Sequence, residues 1–446
     1  MTRLMVVVLL FAASAHGAGF RIDTQAGRAT GMGGAVSALV EDSSSNYYNP
    51  AGLTAQGKGF EVMAGDTLII PQLKFTGPDG TTTSSVFSVS PPPHAYVRAG
   101  LMEELAVGVG FFTGYGASGN WPDGWVGQFK ALRSSLQTFN LNVNLAYAPH
   151  RRISFGAGVN VVRGTLTIER ALDFVDSVGA VQLGGGAWGV GFNGGIRVEV
   201  IENLMWFGGA VRGNTDLNFS GAAHFTGVPQ EFQSRIYDQA IRGKVQLPLT
   251  GQFGLGFKIF DKLKLGLDVT YVNWQSFKEL RIEFVENDDL TVPLAKRWFD
   301  TASFHIGVEY DVTRSLQARL GFVYDPTPTP STTLTPDLPD ATRIKVAAGV
   351  GYQHSSGFFA DLGFQFVVLL SQPATSPCVT AAADQCAGGL PGTYSGTAQV
   401  LSLSLGFRKT AAPKLNAEEA PPAPEEKKEE PAPAKEEKPA EGQPQQ

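Results

Sequence analysis

The chain has 446 residues, 41 of them acidic and 35 basic, for a formal charge of −6, and only 17% are charged. No basic block offers nucleic acid a footprint, and no apolar run reaches the roughly 20 residues of a membrane helix. Two cysteines exclude a disulfide framework and a four-cysteine zinc site, which leaves a β-rich chain with 53 glycines and 29 phenylalanines.

Residues 1–17 (MTRLMVVVLLFAASAHG) join Arg3 to an apolar run from Leu4 to Ala13 and then to small residues. That order reads as a secretory signal cut after Gly17. Export implies an oxidising compartment, so Cys378 and Cys386, which lie between turn-forming residues, are expected to pair. Closing so small a loop stabilises by roughly 2–3 kcal/mol in the chain-entropy account. Residues 18–57 lack strand alternation and carry Gly27, Gly31, Gly33, Gly34 and the turn Asn49-Pro50-Ala51-Gly52. They read as a compact plug.

From residue 58 to 408 the chain alternates apolar and polar residues, the period of strands. In 139–147, Phe139, Leu141, Val143, Leu145 and Tyr147 oppose Asn140, Asn142 and Asn144, and Leu401, Leu403, Leu405 and Phe407 oppose Ser402 and Ser404. About fourteen such segments follow one another, near 58–70, 84–99, 104–113, 135–148, 152–170, 186–200, 204–219, 242–258, 263–285, 302–312, 315–324, 343–353, 357–369 and 397–408. Short links alternate with long ones at 71–83, 114–134, 171–185, 220–241, 286–301, 325–342 and 370–396. A soluble sandwich has no reason for that rhythm, whereas an outer-membrane barrel puts short turns in the periplasm and long loops outside.

The fold class read from this pattern is all-β, a transmembrane antiparallel β-barrel of about 14 strands with the N-terminal hatch in its lumen. Apolar residues then face lipid, while Asp268, Glu309, Arg319 and Lys345 face a hydrated lumen. A barrel of that size leaks unless something fills it, which is the role expected of 18–57. Residues 409–446 are rich in Pro, Glu and Lys without an aromatic, a composition expected to stay disordered. On the periplasmic side they would serve as an inert linker or dock a periplasmic partner.

The segment AGFRIDTQAGRATGMGGAVSALVEDSSSNYYNPAGL resembles the N-terminal hatch of the long-chain fatty-acid outer-membrane transporters, the FadL/TodX family. VGVGFFTGYG, WVGQFKALRSSLQTFNLNVNLAY and RISFGAGVNVVRGTLTIER resemble its third to fifth strands. YVNWQSFKELRIEF and DPTPTPSTTLTPDLPDATRIKVAAGVGY resemble later ones, so the likeness covers about 18–408. The resemblance implies passive uptake of hydrophobic molecules, long-chain fatty acids first and small aromatic hydrocarbons as the alternative. An apolar groove on the outer loops would capture ligand, here with Leu172, Phe174, Val175, Phe225 and Phe232. Inside, Arg170 at the end of the IER motif, Lys296 (or its neighbour Arg297) and Thr113 of FFTGYG would receive the head group. A movement of the hatch, marked by Asn49, Pro50 and Ala51, would then open a way to a lateral gap in the wall. The tail departs from the family pattern, in which the last strand's aromatic residue usually ends the chain.

Transport of this kind calls for no cofactor, and no GxxxxGK[ST] motif or histidine pair at metal-ligand spacing occurs. The expected partners are a hydrophobic small molecule and outer-membrane lipids, with the protein a monomer in the cell outer membrane. Two other classes compete. A lipid hydrolase would need His305 beside a serine, and an envelope tether would use the barrel only as an anchor for 409–446. His305 on a luminal face reads as hydrated.

Overall fold

In this computed structural model the residues described are 19–375 and 390–410. The signal segment, Cys378, Cys386 and the residues beyond Thr410 lie outside that range. Fourteen antiparallel strands form one closed sheet. The first seven are β1 (Gly59–Thr76), β2 (Pro93–Gly100), β3 (Leu105–Phe112, resumed as Gly116–Asn120), β4 (Arg133–His150), β5 (Ile153–Asp173), β6 (Val178–Ile201) and β7 (Met205–Arg212 and Thr215–Thr226). The remaining seven are β8 (Gln239–Leu247 and Thr250–Ile259), β9 (Leu263–Val272 and Glu279–Phe284), β10 (Val292–Ala295 and Thr301–Asp311), β11 (Leu316–Asp325), β12 (Arg343–Gln353), β13 (Phe358–Ala374) and β14 (Gly392–Thr410). Each pairs with its neighbours in sequence. β1 closes the ring, with Gly59 opposite Gly100 of β2 on one side and Thr410 of β14 on the other. Closure satisfies most of the backbone within the sheet, as a hydrocarbon surround demands.

The alternation sorts the two faces. Leu141, Val143 and Leu145 are about half exposed on the outside, whereas Asn140, Asn142 and Asn144 are buried inside. Likewise Leu401, Leu403 and Leu405 point out while Ser402 and Ser404 are fully buried. Several sequence expectations change here, since strand also occupies parts of the loops expected at 114–134, 220–241 and 286–301. Residues 171–185 are not a long loop, because β5 and β6 run on as a tall hairpin closed by four residues, Phe174–Ser177. Ala171, Val181 and Leu183 keep the inward apolar face going beyond the point where Gly184, Gly185 and Gly186 blur the pattern. β14 also runs two residues beyond the expected 408, to Thr410.

Residues 19–57 lie inside the ring. They form two short helices, α1 (Gly27–Gly31) and α2 (Ser45–Tyr48), and a 3₁₀ turn Pro50–Thr54, and most of their side chains are buried. Their seat is made by missing side chains on the wall. A Cβ added to Gly266, Gly307, Gly321 or Gly363 would collide with the backbone at Ala35, Met32, Gly33 or Gly27 respectively. Gly33 and Gly34 turn the chain after α1 with φ of 62° and 80°, a region open to glycine.

Inward polar groups grip the same segment. Asp268 accepts the Ser37 N–H (2.9 Å), Ser404 accepts the Gly27 N–H (2.9 Å), and Gln365 donates to the Thr30 carbonyl (2.9 Å). Asn49 accepts the Ala51 N–H (3.2 Å) and donates to the carbonyls of Ser37 (2.8 Å) and Ile196 of β6 (3.0 Å). The expectation of hydrated luminal charges is therefore overturned. Asp268, Glu309, Arg319 and Lys345 are all buried against the N-terminal segment or one another. His305 is buried as well, its ring nitrogens 2.7 Å from the Gly33 carbonyl and 2.8 Å from Ser303 Oγ.

Candidate functional site: a lumen cavity with a cationic end

Five strands break at about the same depth, and local chemistry accounts for part of it. β8 breaks at Pro248, which has no N–H to donate, and β7 at Gly213-Asn214. The breaks at Thr113–Tyr115 in β3, after Val272 in β9 and after Ala295 in β10 release Tyr115, Trp274, Phe277 and Trp298 from strand geometry. All four rings turn inward around Phe20 of the N-terminal segment. Phe20 meets Trp274 edge-on at 4.7 Å, Phe277 at 5.5 Å and Tyr115 at 6.0 Å, and Trp298 at a tilt at 5.7 Å. Such edge contacts suit the ring quadrupole and add to the burial of large apolar surfaces.

Beside this cage lies a cavity of about 490 Å³ with mostly apolar walls, within the range of small-molecule sites. Phe20, Trp298, Leu136, Val367 and Val400 contribute to its lining. Its outer side is a flaw in the barrel wall. The β2–β3 ladder ends at Ala95 opposite Phe111, and Gly116–Asn120 pairs with β4 alone. The two edges meet again only where the Val86 N–H reaches the Asn120 carbonyl (2.8 Å). Between these points stand Pro91, Pro92 and Pro93, which cannot donate to a ladder, facing Gly116–Ser118 across the cavity. The freed backbone of β3 pairs with the N-terminal segment instead, through Ile22 N–H to Gly114 O (3.0 Å) and Gly116 N–H to Phe20 O (2.9 Å).

One end of the cavity carries charge. Lys345 Nζ lies 3.0 Å from Asp23 and 3.1 Å from Asp325. Arg343 donates to Asp340 (2.7 Å) and to the carbonyl of Gly19 (2.8 Å). Burial pushes the Asp23 carboxyl up, but Lys345 first and Arg21 next hold it well below the usual carboxylate range.

The residues expected from the sequence fall in three places. Thr113 lines the cavity, and its buried hydroxyl has no hydrogen-bond partner among the described residues. Arg170 is half-buried near the outer end of β5, and its guanidinium makes no hydrogen bond or ion pair among the described residues, Asp337 being the charge that acts on it. Lys296 is away from the cavity lining, fully buried and held by Thr335 (2.7 Å) and Asp337 (2.9 Å) of the 325–342 loop. Above the cavity, Phe174 stacks on Phe232 (5.3 Å) and Phe225 approaches Phe284 (6.1 Å). Leu172 and Phe225 pack against the apolar cluster of the outer lumen, while Val175 is 92% exposed at the hairpin tip with φ 72°.

Arg343, Lys345, Asp23 and Phe20 were missed as cavity residues. The signal for the first two was present, since two cations alternate on the inward face of β12. At the short-turn end a second hollow of about 710 Å³ is lined by charges. There Arg28 holds Glu309 with two hydrogen bonds (2.8 and 3.1 Å), and Arg319 joins Glu309 (2.7 Å) to Asp361 (2.6 Å).

A closed fourteen-strand barrel with an apolar exterior, short turns at one end and a filled lumen defines a β-barrel protein of the outer membrane. Within that class the chain belongs to the outer membrane protein transport protein family (OMPP1/FadL/TodX), whose model matches residues 8–408. It is 22% identical over 409 residues to a long-chain fatty acid transport protein of Escherichia coli O6:H1, covering 82% of this chain and 90% of that protein. It is 26% identical over 391 residues to a 47 kDa outer membrane protein of Pasteurella multocida, covering 81% and 90%. In fold it matches a crystal structure of a Pseudomonas aeruginosa FadL homologue with a TM-score of 0.78 at 19% identity, covering 87% of this chain and 99% of that one. The Pseudomonas putida toluene transporter TodX gives 0.67 at 18% identity, covering 89% and 100%.

Proposed function

We propose that this protein takes up long-chain fatty acids passively and delivers them sideways into the outer membrane. The observation that carries the reading is the cavity with apolar walls, cations at one end and an unladdered stretch of barrel wall beside it. Ligand is captured on Leu172, Phe174, Val175, Phe225 and Phe232 and passes the guanidinium of Arg170, which has no hydrogen-bond partner among the described residues. It then settles with its carboxylate toward Arg343 and Lys345 and the Thr113 hydroxyl. A shift of residues 19–57 lets the acyl chain slide out between Pro91–Pro93 and Gly116–Ser118. No energy input is needed, because an acyl chain gains about 0.8 kcal/mol per methylene on leaving water. The relatives named as long-chain fatty acid transport proteins support this substrate class. The protein acts as a transporter rather than an enzyme.

The test is uptake of labelled oleate by cells expressing the full chain. A saturable excess over empty cells is expected, and equal uptake for fatty acids and alkylbenzenes alike in both cell types would reject the reading. The cage around Phe20 favours a second reading, uptake of small aromatic hydrocarbons, since four rings already enclose one phenyl group. Arg170→Ala separates the two, because it is expected to weaken oleate binding several-fold and leave toluene binding unchanged.

A further inference from the structure

Ion pairs run through the polar part of the lumen, and most cations there have an acid. Arg28 and Arg319 hold Glu309, Arg197 holds Glu41, and Lys345 holds Asp23 and Asp325. Arg21 of the N-terminal segment and Arg212 of β7 break the pattern, since neither guanidinium forms an ion pair among the described residues. Arg212 donates to Asn160 Oδ1 (2.5 Å) and to the Tyr47 carbonyl (3.2 Å) and lies over the rings of Tyr47 (5.3 Å) and Phe112 (5.1 Å). Two of its five N–H groups are thereby spent. Arg21 is near Asp23 and Asp325, but Lys345 already engages both. The two arginines line one small hollow of about 30 Å³, together with Tyr47, Tyr115, Asn140 and Thr250 among others, and no acid lines it.

We propose that this hollow binds one small monovalent anion, of the size of chloride, between the guanidiniums of Arg21 and Arg212. Two like charges around one enclosed space repel each other where the dielectric is low, and an uncompensated buried cation is costly. An anion between them removes both penalties, whereas a water molecule would fill the space and leave both charges unmatched. The room suits such an ion. A single water needs roughly 10–15 Å³, so the hollow takes one atom-sized ion and is too small for a carboxylate with an acyl chain. The donors suit it as well, because the unspent N–H groups of both arginines are charged and Thr250 adds a hydroxyl. The ion would supply the counter-charge that Glu309, Glu41 and Asp325 supply elsewhere, and would join the N-terminal segment to the wall at β7. Transport as proposed above does not require it.

The experiment uses the full-length protein in detergent micelles, with sodium chloride or sodium gluconate at equal ionic strength, gluconate being too large for the hollow. Chloride is expected to raise the thermal midpoint by several degrees over gluconate, the more so as its concentration rises, as for any ligand that binds the folded state. Arg212→Gln should lower the midpoint in chloride and leave it unchanged in gluconate, because it removes the ion together with the repulsion. A merely structural arginine would lower it equally in both salts. Crystals of the wild-type protein grown in bromide should show an anomalous-scattering peak between Arg21 and Arg212, a reading that needs no variant; should Arg212→Gln fail to fold, Arg21→Gln carries the same expectation. The same chloride effect in the variant as in the wild type, or no bromide at this position, would overturn the proposal. A bromide peak without any chloride-dependent midpoint would mean an adventitious ion only and would overturn it too.

Discussion

Along β8 and β9 the inward residues change character halfway down. Ile241, Val245 and Leu247, flanked by Leu280 and Ile282, give way to Gln252, Asp268 and Thr270. β4 and β5 repeat the change, with Leu136 and Ile168 above and Asn142, Asn144 and Asn160 below. The outer half of the lumen is thus lined by apolar residues, and the inner half by amides, hydroxyls and ion pairs that grip residues 19–57. A greasy molecule is at home in the first and excluded from the second, where it would strip buried polar groups of their partners. The strand breaks and the unladdered wall lie where the two halves meet. The sideways exit proposed above would, at that depth, let a ligand leave without ever crossing the polar half.

The largest effect is expected from putting inner-half chemistry into the outer half. Leu217 is fully buried among apolar neighbours, and Leu217→Asp would place an unpartnered carboxylate there, which costs several kcal/mol. Oleate uptake by expressing cells should fall by more than about 100-fold. Ion conductance of the purified protein in planar bilayers should stay low, because the stopper is untouched. Gly307→Val tests the other half. Its side chain would collide with Met32, so the N-terminal segment cannot seat and bilayer conductance should rise by roughly tenfold or more. A variant that stayed sealed would show that the glycine seat is not what holds the stopper.

The fourteen strands were legible because lipid outside and a packed lumen inside impose a strict period of two, which survives any change in loop sequence. Even the glycines of the seat were in view, since Gly266 and Gly307 stand at polar-face positions of alternating strands. The height of the β5–β6 hairpin was not legible, because Gly184–Gly186 erase the pattern that would have carried it upward. Asp268, Glu309 and Lys345 read as hydrated because each has a partner in the N-terminal segment, hundreds of residues away along the chain, and Arg319 because its carboxylates Glu309 and Asp361 stand on other strands. Trp274 and Trp298 look like interfacial aromatics in sequence, and only the breaks in β9 and β10 turn them toward Phe20. Lys296 and Arg343 illustrate the same limit in reverse. Both are cations near outer strand ends, and the fold of the 325–342 loop decides which one is sequestered and which one faces the cavity.

Smaller effects should come from loosening the inner half one contact at a time. Arg28→Ala leaves Glu309 with Arg319 and Lys264, so the carboxylate keeps two of its three cations. The loss should stay below the ~3–5 kcal/mol of a fully broken buried pair. A two- to threefold rise in conductance is expected, well short of Gly307→Val. Asn49→Ala should do least. It removes a cap on the Pro50–Thr54 turn and the two donations to Ser37 and Ile196. A cap is worth about 1 kcal/mol, and each donation lost leaves a carbonyl that still accepts from elsewhere or meets water in the loosened seat. Hydrogen exchange should therefore quicken in residues 45–57 while the β5–β6 wall remains protected and conductance barely moves. If the wall opened along with that turn, Asn49 would be tying the barrel together rather than the stopper to the barrel, and the two halves of the lumen would not be mechanically separate.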